Sequence, residues 1–231
     1  MTSQTGMTFN ELQADVRNYL ERGYSAEVDP IVFEQIPRLI TLAERRISRE
    51  LKIQGFQVVT TSQMVAGLAV YPKPDRWRET ISINFGSGTT YNTRNQIFPR
   101  SYEYLRNFWP DETVFGAPQF YADYSYTNWI FAATPDLNYP FEVLYYELPP
   151  LLSTEQQTNW LTEYAPQLIL YGALLEATPF LKNDERIGVW KNFYDDAKAS
   201  LNTEDIKKKC VWWVHDLPKQ CVILCTDAQF C

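Results

Sequence analysis

Helical periodicity dominates both ends of the chain, whereas short β-rich runs dominate its middle. Near the N-terminus, Thr8 and Glu11 form a capping-box pattern that predicts a helix beginning at about residue 9. Apolar residues recur at helical spacing from there, and Gly23 is placed to end the helix. The first predicted element is therefore an amphipathic helix.

A second amphipathic helix is predicted to begin at Asp29 and Pro30, an N-cap residue followed by the residue favoured at the first helical position. Pro37 predicts a lost hydrogen bond or a kink within it. Its apolar face comprises Val32, Phe33, Ile36, Leu39, Ile40, Ala43, Ile47 and Leu51. Its opposite, basic face comprises Arg38, Arg45, Arg49 and Lys52. This basic face either contacts an acidic neighbouring subunit or DNA phosphates, or is the solvent side of the helix.

The middle of the chain predicts strands rather than helices. Its runs are short, rich in β-branched and aromatic residues, and bounded by Gly or Pro. The predicted strands are residues 56–62, 67–71, 79–85, 91–98, 119–126, 129–133 and 141–147, with one short helix at residues 101–109. We expect these strands to form a sandwich-like or barrel-like β region.

Helical periodicity returns after the Pro-Pro pair at residues 149–150. Ser153 and Gln156 offer a second capping box. Apolar residues then surround the predicted helix from residue 160 to residue 175, a distribution typical of a helix in the centre of a bundle.

A fourth long helix is predicted near the C-terminus. Thr178 and Pro179 are expected to break the preceding helix, and Asn183 is placed to cap the next one. A narrow apolar stripe then runs from residue 187 to residue 201, which suits a helix packed at a seam.

The order of these elements indicates an α+β fold in which a four-helix bundle frame is split by a β insert. We predict that residues 1–55 and 151–206 form the helical bundle. Residues 56–150 form the β-rich insert, and residues 207–231 form an extended C-terminal tail.

Composition excludes several classes of protein. The net charge of −7, from 28 acidic and 21 basic residues, disfavours a protein that grips nucleic acid tightly. No apolar run approaches the roughly 18–20 residues that a membrane span requires, so we expect no membrane partner. The N-terminus lacks the layout of a secretory signal, which predicts synthesis in the cytoplasm.

Candidate catalytic groups are scarce, because the first 209 residues contain neither Cys nor His. A Ser-His-Asp triad or a Cys-His pair would need the C-terminal end, and no phosphate-binding glycine loop precedes a helix. We therefore expect no enzyme activity, no catalytic residues and no cofactor.

The C-terminal end concentrates Cys210, His215, Cys221, Cys225 and Cys231. Only Cys221 and Cys225 approach the paired spacing of a structural zinc site, so the spacing favours an unstructured or partner-docked tail with reduced thiols over a metal site. We therefore predict no metal site, with zinc as the alternative.

Aromatic residues are unusually abundant, with 15 Tyr, 13 Phe and 7 Trp. Two aromatic runs, at residues 120–129 and at Tyr145 and Tyr146, have the composition of sugar-binding platforms. Alternating strands that bury aromatic rings explain the same runs more simply. The sugar-platform interpretation gives an alternative function, a carbohydrate-binding or receptor-binding tail component.

Two segments resemble the adaptor, or head-to-tail connector, proteins of tailed phages. The first runs from Ile36 to Leu51 and precedes the β region, and the second runs from Trp160 through Trp190. The resemblance covers residues 8 to about 206. It rests on patterned apolar and aromatic positions rather than on reactive groups.

This resemblance implies a structural virion protein in the phage neck, at the portal–tail junction. Such proteins form a ring, usually of twelve copies, that docks beneath the portal, continues the DNA channel and carries tail or nozzle proteins. Contact with passing DNA would be transient and non-specific. Portal docking by a C-terminal extension would fall on the segment after Leu201, with Lys207, Lys208, Lys209, Trp212 and Trp213 as candidates.

Overall fold

A computed structural model describes residues 6–86, 94–181 and 185–213, with side chains up to Ile206. The chain divides into two compact units. The helical unit combines Met1–Gly55 with Pro149–Cys231, and the β unit is Phe56–Leu148. Two segments distant in sequence therefore build the helical unit together.

Six α-helices lie within the described residues. They are α1 (Phe9–Leu20), α2 (Pro30–Glu50), α3 (Tyr102–Phe108), α4 (Trp160–Tyr164), α5 (Pro166–Leu181) and α6 (Ile187–Trp213). A 3-10 turn, Gln54–Phe56, follows α2. All the helices except α3 belong to the helical unit.

The capping box predicted for α1 is confirmed. The Glu11 N–H donates to the Thr8 hydroxyl oxygen at 3.2 Å, and the Thr8 N–H donates to the Glu11 carboxylate at 2.8 Å. The helix ends at Leu20, before Gly23, because Glu21 already adopts a left-handed conformation with φ of 55°. The start of α1 was therefore correctly predicted, and its end was placed too late.

The centre of the helical unit is α5, which packs against α1, α2, α4 and α6. Its apolar residues lie on all sides, as predicted, and many of them are buried. Gly172 permits a close approach, since a Cβ built there would lie 3.4 Å from both the Ala43 Cβ and the Ile47 Cδ1 of α2. The α2–α5 pair therefore forms the core of this unit.

The predicted four-helix frame is wrong, although the α+β class is right. The helix expected after Ser153 begins only at Trp160, because Asn159 is its N-cap, while Ser153 forms a turn with Gln156. This helix then breaks after five residues, where Pro166 begins α5. Proline is well suited to a first helical position and cannot donate the hydrogen bond that would continue α4.

The break predicted at Thr178 and Pro179 is also absent, because α5 continues through both residues to Leu181. The Thr178 hydroxyl donates to the Leu174 carbonyl at 3.0 Å within the helix. The predicted cap Asn183 lies outside the described residues. The prediction of an extended tail from residue 207 onward is wrong for residues 207–213, because α6 continues through them.

Nine short strands lie within the described part of the β unit. They are β1 (Gln57–Gln63), β2 (Val70–Pro72), β3 (Trp77–Gly86), β4 (Arg94–Pro99), β5 (Phe115–Gly116), β6 (Phe120–Asp123), β7 (Asn128–Ala132), β8 (Thr134–Pro135) and β9 (Pro140–Glu147). Seven of them form one sheet in the order β1-β9-β3-β4-β6-β7-β2, and β5 pairs with β8.

The seven-stranded sheet is mixed and curled into a half-barrel, where a sandwich-like or barrel-like region was predicted. Most neighbouring strands are antiparallel, but β4 and β6 pair in parallel through residues 98–99 and 120–121. The consecutive strands β1 and β2 lie at opposite ends of the strand order and form no ladder with each other. The curled sheet therefore stays open between these two edges.

Alternation along the strands gives the sheet two apolar faces. In β7, Trp129 and Phe131 join the larger core cluster, which also includes Phe141, Val143 and Tyr145 of β9. The intervening Ile130 and Ala132 join a smaller cluster with Leu105 of α3. The short helix α3 therefore covers part of the second face.

Gly55 provides a test of packing in the helical unit. A Cβ at this position would lie 2.2 Å from Cε2 of Trp160, so Gly55→Ala must displace the indole ring. We expect a loss of about 1–3 kcal/mol in the free energy of unfolding, measured by urea denaturation.

Gly188→Ala is the matched control, since no atom beyond its chain neighbours and its own helix backbone lies within 4 Å of a Cβ built there. We expect this control to leave stability unchanged or to raise it slightly. Equal stabilities of the two variants would show that Trp160 moves aside without cost.

Candidate assembly surface

The outer face of α2 carries three of the four predicted basic residues, Arg38, Arg45 and Arg49. Arg38, Arg45, Arg49 and Lys52 are all exposed, and Leu42 lies among them with 41% of its surface exposed. Arg38, Leu42, Arg45 and Arg49 are spaced by four, three and four residues, which places them on one side of α2. We call these four residues the α2 outer stripe. Lys52 is exposed but lies beyond the end of α2 at Glu50, after the extended residue Leu51, so the helix brings together three of the four predicted basic residues.

The inner face of α2 is occupied by the fold itself. Ile36, Ile40, Ala43 and Ile47 are fully buried. The helix continues through Pro37, and the Thr41 hydroxyl donates to the Pro37 carbonyl at 3.1 Å. Because burial fixes the rotation of α2, the outer stripe cannot turn inward.

Arg46 differs from Arg38 and Arg45 because it links helices within the unit. Its guanidinium lies 2.8 Å from the Glu176 carboxylate of α5. Glu50 accepts hydrogen bonds from Lys198 at 2.6 Å and Tyr194 at 3.0 Å, both in α6. Among the described residues, by contrast, no salt bridge is formed by Arg38 or Arg45.

Glu44 is a buried acidic residue that the sequence reasoning missed. Its carboxylate accepts a hydrogen bond from the Asn159 side-chain amide at 2.7 Å and from the Leu152 N–H at 3.1 Å. Asn159 also donates to the Pro150 carbonyl at 3.0 Å and caps α4. This network holds α2 against the segment that leads into α4.

Burial raises the pKa of Glu44 to about 7, and its hydrogen bonds to Leu152 and Asn159 offset part of that effect. The burial of Glu44 could have been predicted from its position around the helix. Glu44 lies about 40° from Ile40 around the helix axis, inside the apolar face. An acid at such a position indicates a buried polar network rather than a solvated charge.

Most rings in the proposed sugar platforms are buried in the β unit. Tyr121, Trp129, Tyr145 and Tyr146 have at most 9% of their surface exposed. The Trp129 indole N–H donates to Thr80 at 3.1 Å, which fixes the ring inside the sheet. These four rings therefore serve as core and cannot form a flat exposed platform.

Another aromatic surface, which shares Phe120 with the run at residues 120–129, surrounds α3, and we call it the α3 patch. It consists of Tyr104, Phe108, Phe120 and Arg100. Tyr104 and Phe108 are 41% and 49% exposed and stack with ring centroids 5.8 Å apart. Phe120 lies edge-on to Phe108 at 5.3 Å, and the Arg100 guanidinium lies 5.5 Å from the Phe120 ring centre.

The α3 patch borders a groove of about 580 Å³ between β4 and the residues before β6. Phe98, Arg100, Gln119 and Phe120 contribute to its walls. Exposed aromatic and arginine side chains are common at the centres of protein–protein interfaces. The sequence predicted helix α3 but not the exposure of its rings.

The predicted portal-docking residues lie at the end of α6. Lys207, Lys208, Lys209, Trp212 and Trp213 are helical, while their side chains are outside the described part of the structure. Within residues 6–86, 94–181 and 185–213, no group of three or more His, Cys, Asp or Glu is arranged to hold a metal. His215 and the last three cysteines lie beyond the described residues.

None of the helices in the described residues is both long enough and apolar enough to cross a bilayer.

The α2 outer stripe and the α3 patch are surfaces of the kind that protein-assembly components present. Residues 7–209 match the family model described as SU10 adaptor protein. No curated protein matches the chain.

The chain therefore belongs to the SU10 adaptor protein family, a phage head-to-tail adaptor family. This membership confirms the resemblance found in the sequence. It makes the chain a phage structural adaptor protein, which interacts with other virion proteins near the head–tail junction.

The Glu44 network gives a pH-dependent prediction. Folding raises the pKa of Glu44 from 4.5 to about 7, so its contribution to stability is fully present below pH 4.5 and is lost as pH rises through 7. The corresponding loss is about 3 kcal/mol. Glu44→Gln removes the ionisation and should flatten this part of the pH profile.

Urea unfolding of both proteins at about pH 5 and about pH 8 measures the difference. We expect the wild-type protein to lose more stability than Glu44→Gln between the two conditions. Parallel pH profiles would contradict an ionisable, buried Glu44.

Proposed function

We propose that the chain is a subunit of a ring that joins the portal to the tail and continues the DNA channel in the virion neck. The α2 outer stripe is the observation that carries this proposal. Its charges lie on a rigid helix whose inner face is already buried. The subunits are made in the host cytoplasm, and the ring contains twelve copies, as the family resemblance implies.

The stripe suits a neighbouring subunit better than DNA. Leu42 lies in the middle of the basic residues and exposes 41% of its surface. An apolar side chain gains from burial against protein, whereas phosphate contacts come from polar and charged groups. A second copy also offers complementary charge, since the chain has 28 acidic residues against 21 basic ones.

The acidic balance also supports the channel role. A wall that bound phosphates strongly would retain the DNA through counterion release. A subunit with net charge −7 would give passing DNA only transient, non-specific contacts.

We assign portal docking to the end of α6. Asp205 is held to the helical unit, because its carboxylate accepts a hydrogen bond from the Gln54 N–H at 2.7 Å. The helix continues to Trp213 beyond this contact. It thereby carries the docking candidates Lys207, Lys208, Lys209, Trp212 and Trp213 past Asp205.

The α3 patch is the corresponding contact for a tail or nozzle protein. It lies on the β unit, whereas the stripe and the end of α6 belong to the helical unit. All of these roles are binding roles, and we propose no catalytic activity. A carbohydrate-binding tail component is less well supported, because the rings that suggested it are mostly buried.

Charge reversal in the stripe tests the ring. Arg45→Glu with Arg49→Glu should leave the monomer folded, because both side chains are exposed. We expect incorporation into virions to fall by about tenfold or more, since like charges across an interface cost several kcal/mol. Circular dichroism checks the fold, and immunoblotting of purified particles measures incorporation.

Arg45→Lys with Arg49→Lys is the matched control, because it retains the charge. This control should lose much less incorporation than the charge reversal. Normal incorporation of the doubly reversed protein would refute the role of the stripe.

A further inference from the structure

The curled sheet has two edges that border one cleft. β1 contributes Thr60, Thr61 and Ser62 to its wall, and residues 71–75 contribute the other side. Trp129, Phe141 and Val143 also line this space, which has a volume of about 340 Å³. The cleft therefore leads from the open seam of the half-barrel to its aromatic core.

The two edges differ in how they are protected. β2 ends at Pro72, and Lys73 and Pro74 follow. Lys73 is itself fixed, with its ammonium 2.7 Å from the Asp123 carboxylate and 3.0 Å from the Ser125 carbonyl oxygen. Prolines and charged residues are the features by which proteins prevent an edge strand from pairing.

β1 has none of these protective features. Its sequence from Gln57 to Gln63 contains no charged residue and no proline. Within the described residues it pairs only with β9, and Thr61, Ser62 and Gln63 are exposed. A row of backbone N–H and C=O groups therefore faces outward from a strand suited to pairing.

The side of β1 that carries Val58, Thr60 and Ser62 borders the larger core cluster, against which Val58 packs. Thr60 and Ser62 lie opposite Val143 and Phe141 of β9, which are both buried. The Thr60 hydroxyl donates to the Tyr145 hydroxyl at 3.4 Å. A strand added beyond β1 would place alternate side chains over these same rings, inside the cleft.

The C-terminal end supplies a segment with matching chemistry. Cys221-Val-Ile-Leu-Cys225 is uncharged and apolar, and polar residues flank it on both sides. Such a short apolar run is typical of a strand covered on both faces. It lies beyond residues 7–209, the part that matches the adaptor family. The eight residues from 214 to 221 could span about 28 Å when extended, which sets the reach of this run from residue 213.

We propose that the free edge of β1 binds the Cys221–Cys225 segment of a second copy as an added strand. Main-chain hydrogen bonds to β1 supply the register, and the cleft receives the side chains on one face. This exchange would add a second contact between copies to the proposed self-assembly, because each copy both donates and binds a strand. It rests on that proposed function but uses a different surface from the α2 outer stripe.

Disulfide trapping between two different full-length chains tests the exchange. The receiving chain carries an affinity tag, Ser62→Cys, and serine in place of all four natural cysteines. The donating chain carries no tag, keeps the natural cysteines at 221 and 225 and has serine at 210 and 231. After mixing and treatment with a mild thiol oxidant, a covalent dimer of one tagged and one untagged chain reports a contact between two copies, and its mass distinguishes it from a dimer of two tagged chains.

Thr61→Cys in the same receiving background is the matched control for geometry. Alternate residues of a strand face opposite sides, and Cys221 and Cys225 share one side because they are four residues apart. We therefore expect a dimer at one of positions 61 and 62 and not at both. Ile223→Pro in the donating chain should reduce that dimer on the order of tenfold, since proline removes a ladder hydrogen bond.

Three results would overturn the proposal: no dimer at either position, equal dimer at both, or an undiminished dimer with Ile223→Pro. Sedimentation of the same mixtures separates this proposal from ring formation. Rings without the specific cross-link would overturn strand exchange alone. Chains that never associate would overturn both.

Discussion

The structure depends on the burial of α5 between two segments that are far apart in sequence. The helix is apolar on nearly all sides, so it is stable only where other helices surround it. α1 and α2 come from the beginning of the chain, whereas α4 and α6 flank α5 in sequence. Because the whole β unit lies between these segments, the helical unit forms only when both ends of the chain meet.

This burial determines which side of α2 remains available. Ala43 and Ile47 face Gly172 of α5, where the absence of a side chain lets the helices approach closely. Glu44 adds a directional contact beside them, because it accepts hydrogen bonds from Leu152 and Asn159. With its rotation fixed by packing and by hydrogen bonds, α2 presents the outer stripe as a rigid surface. The proposed subunit contact follows from this constraint.

Local signals in the sequence predicted the elements that depend on neighbouring residues. The capping box placed the start of α1 correctly, and Asp29 with Pro30 placed the start of α2. The helix around Tyr102–Phe108 and the main strands were also found, to within a few residues. The four residues predicted for the basic face are all exposed, but Lys52 lies beyond the end of α2 rather than on its face.

The errors arose where competing local signals or distant contacts decide the outcome. Ser153 and Asn159 are both good cap residues, and Asn159 caps α4 while it is held by Glu44 and Pro150. Pro166 ends one helix and begins another, whereas Pro179 is accommodated inside α5. The half-barrel could not be derived from strand patterns alone. Its order depends on pairings such as β1 with β9, which join residues more than 75 positions apart.

The central claim is that the outer stripe of α2 joins copies of this chain in the virion neck. Electron cryomicroscopy of intact virions tests it most directly, because the map shows which surface each helix contacts. We expect a ring at the portal–tail junction in which Arg38, Leu42, Arg45 and Arg49 lie against an adjacent copy. A ring whose α2 outer stripe faces solvent, or a neck without this chain, would contradict it.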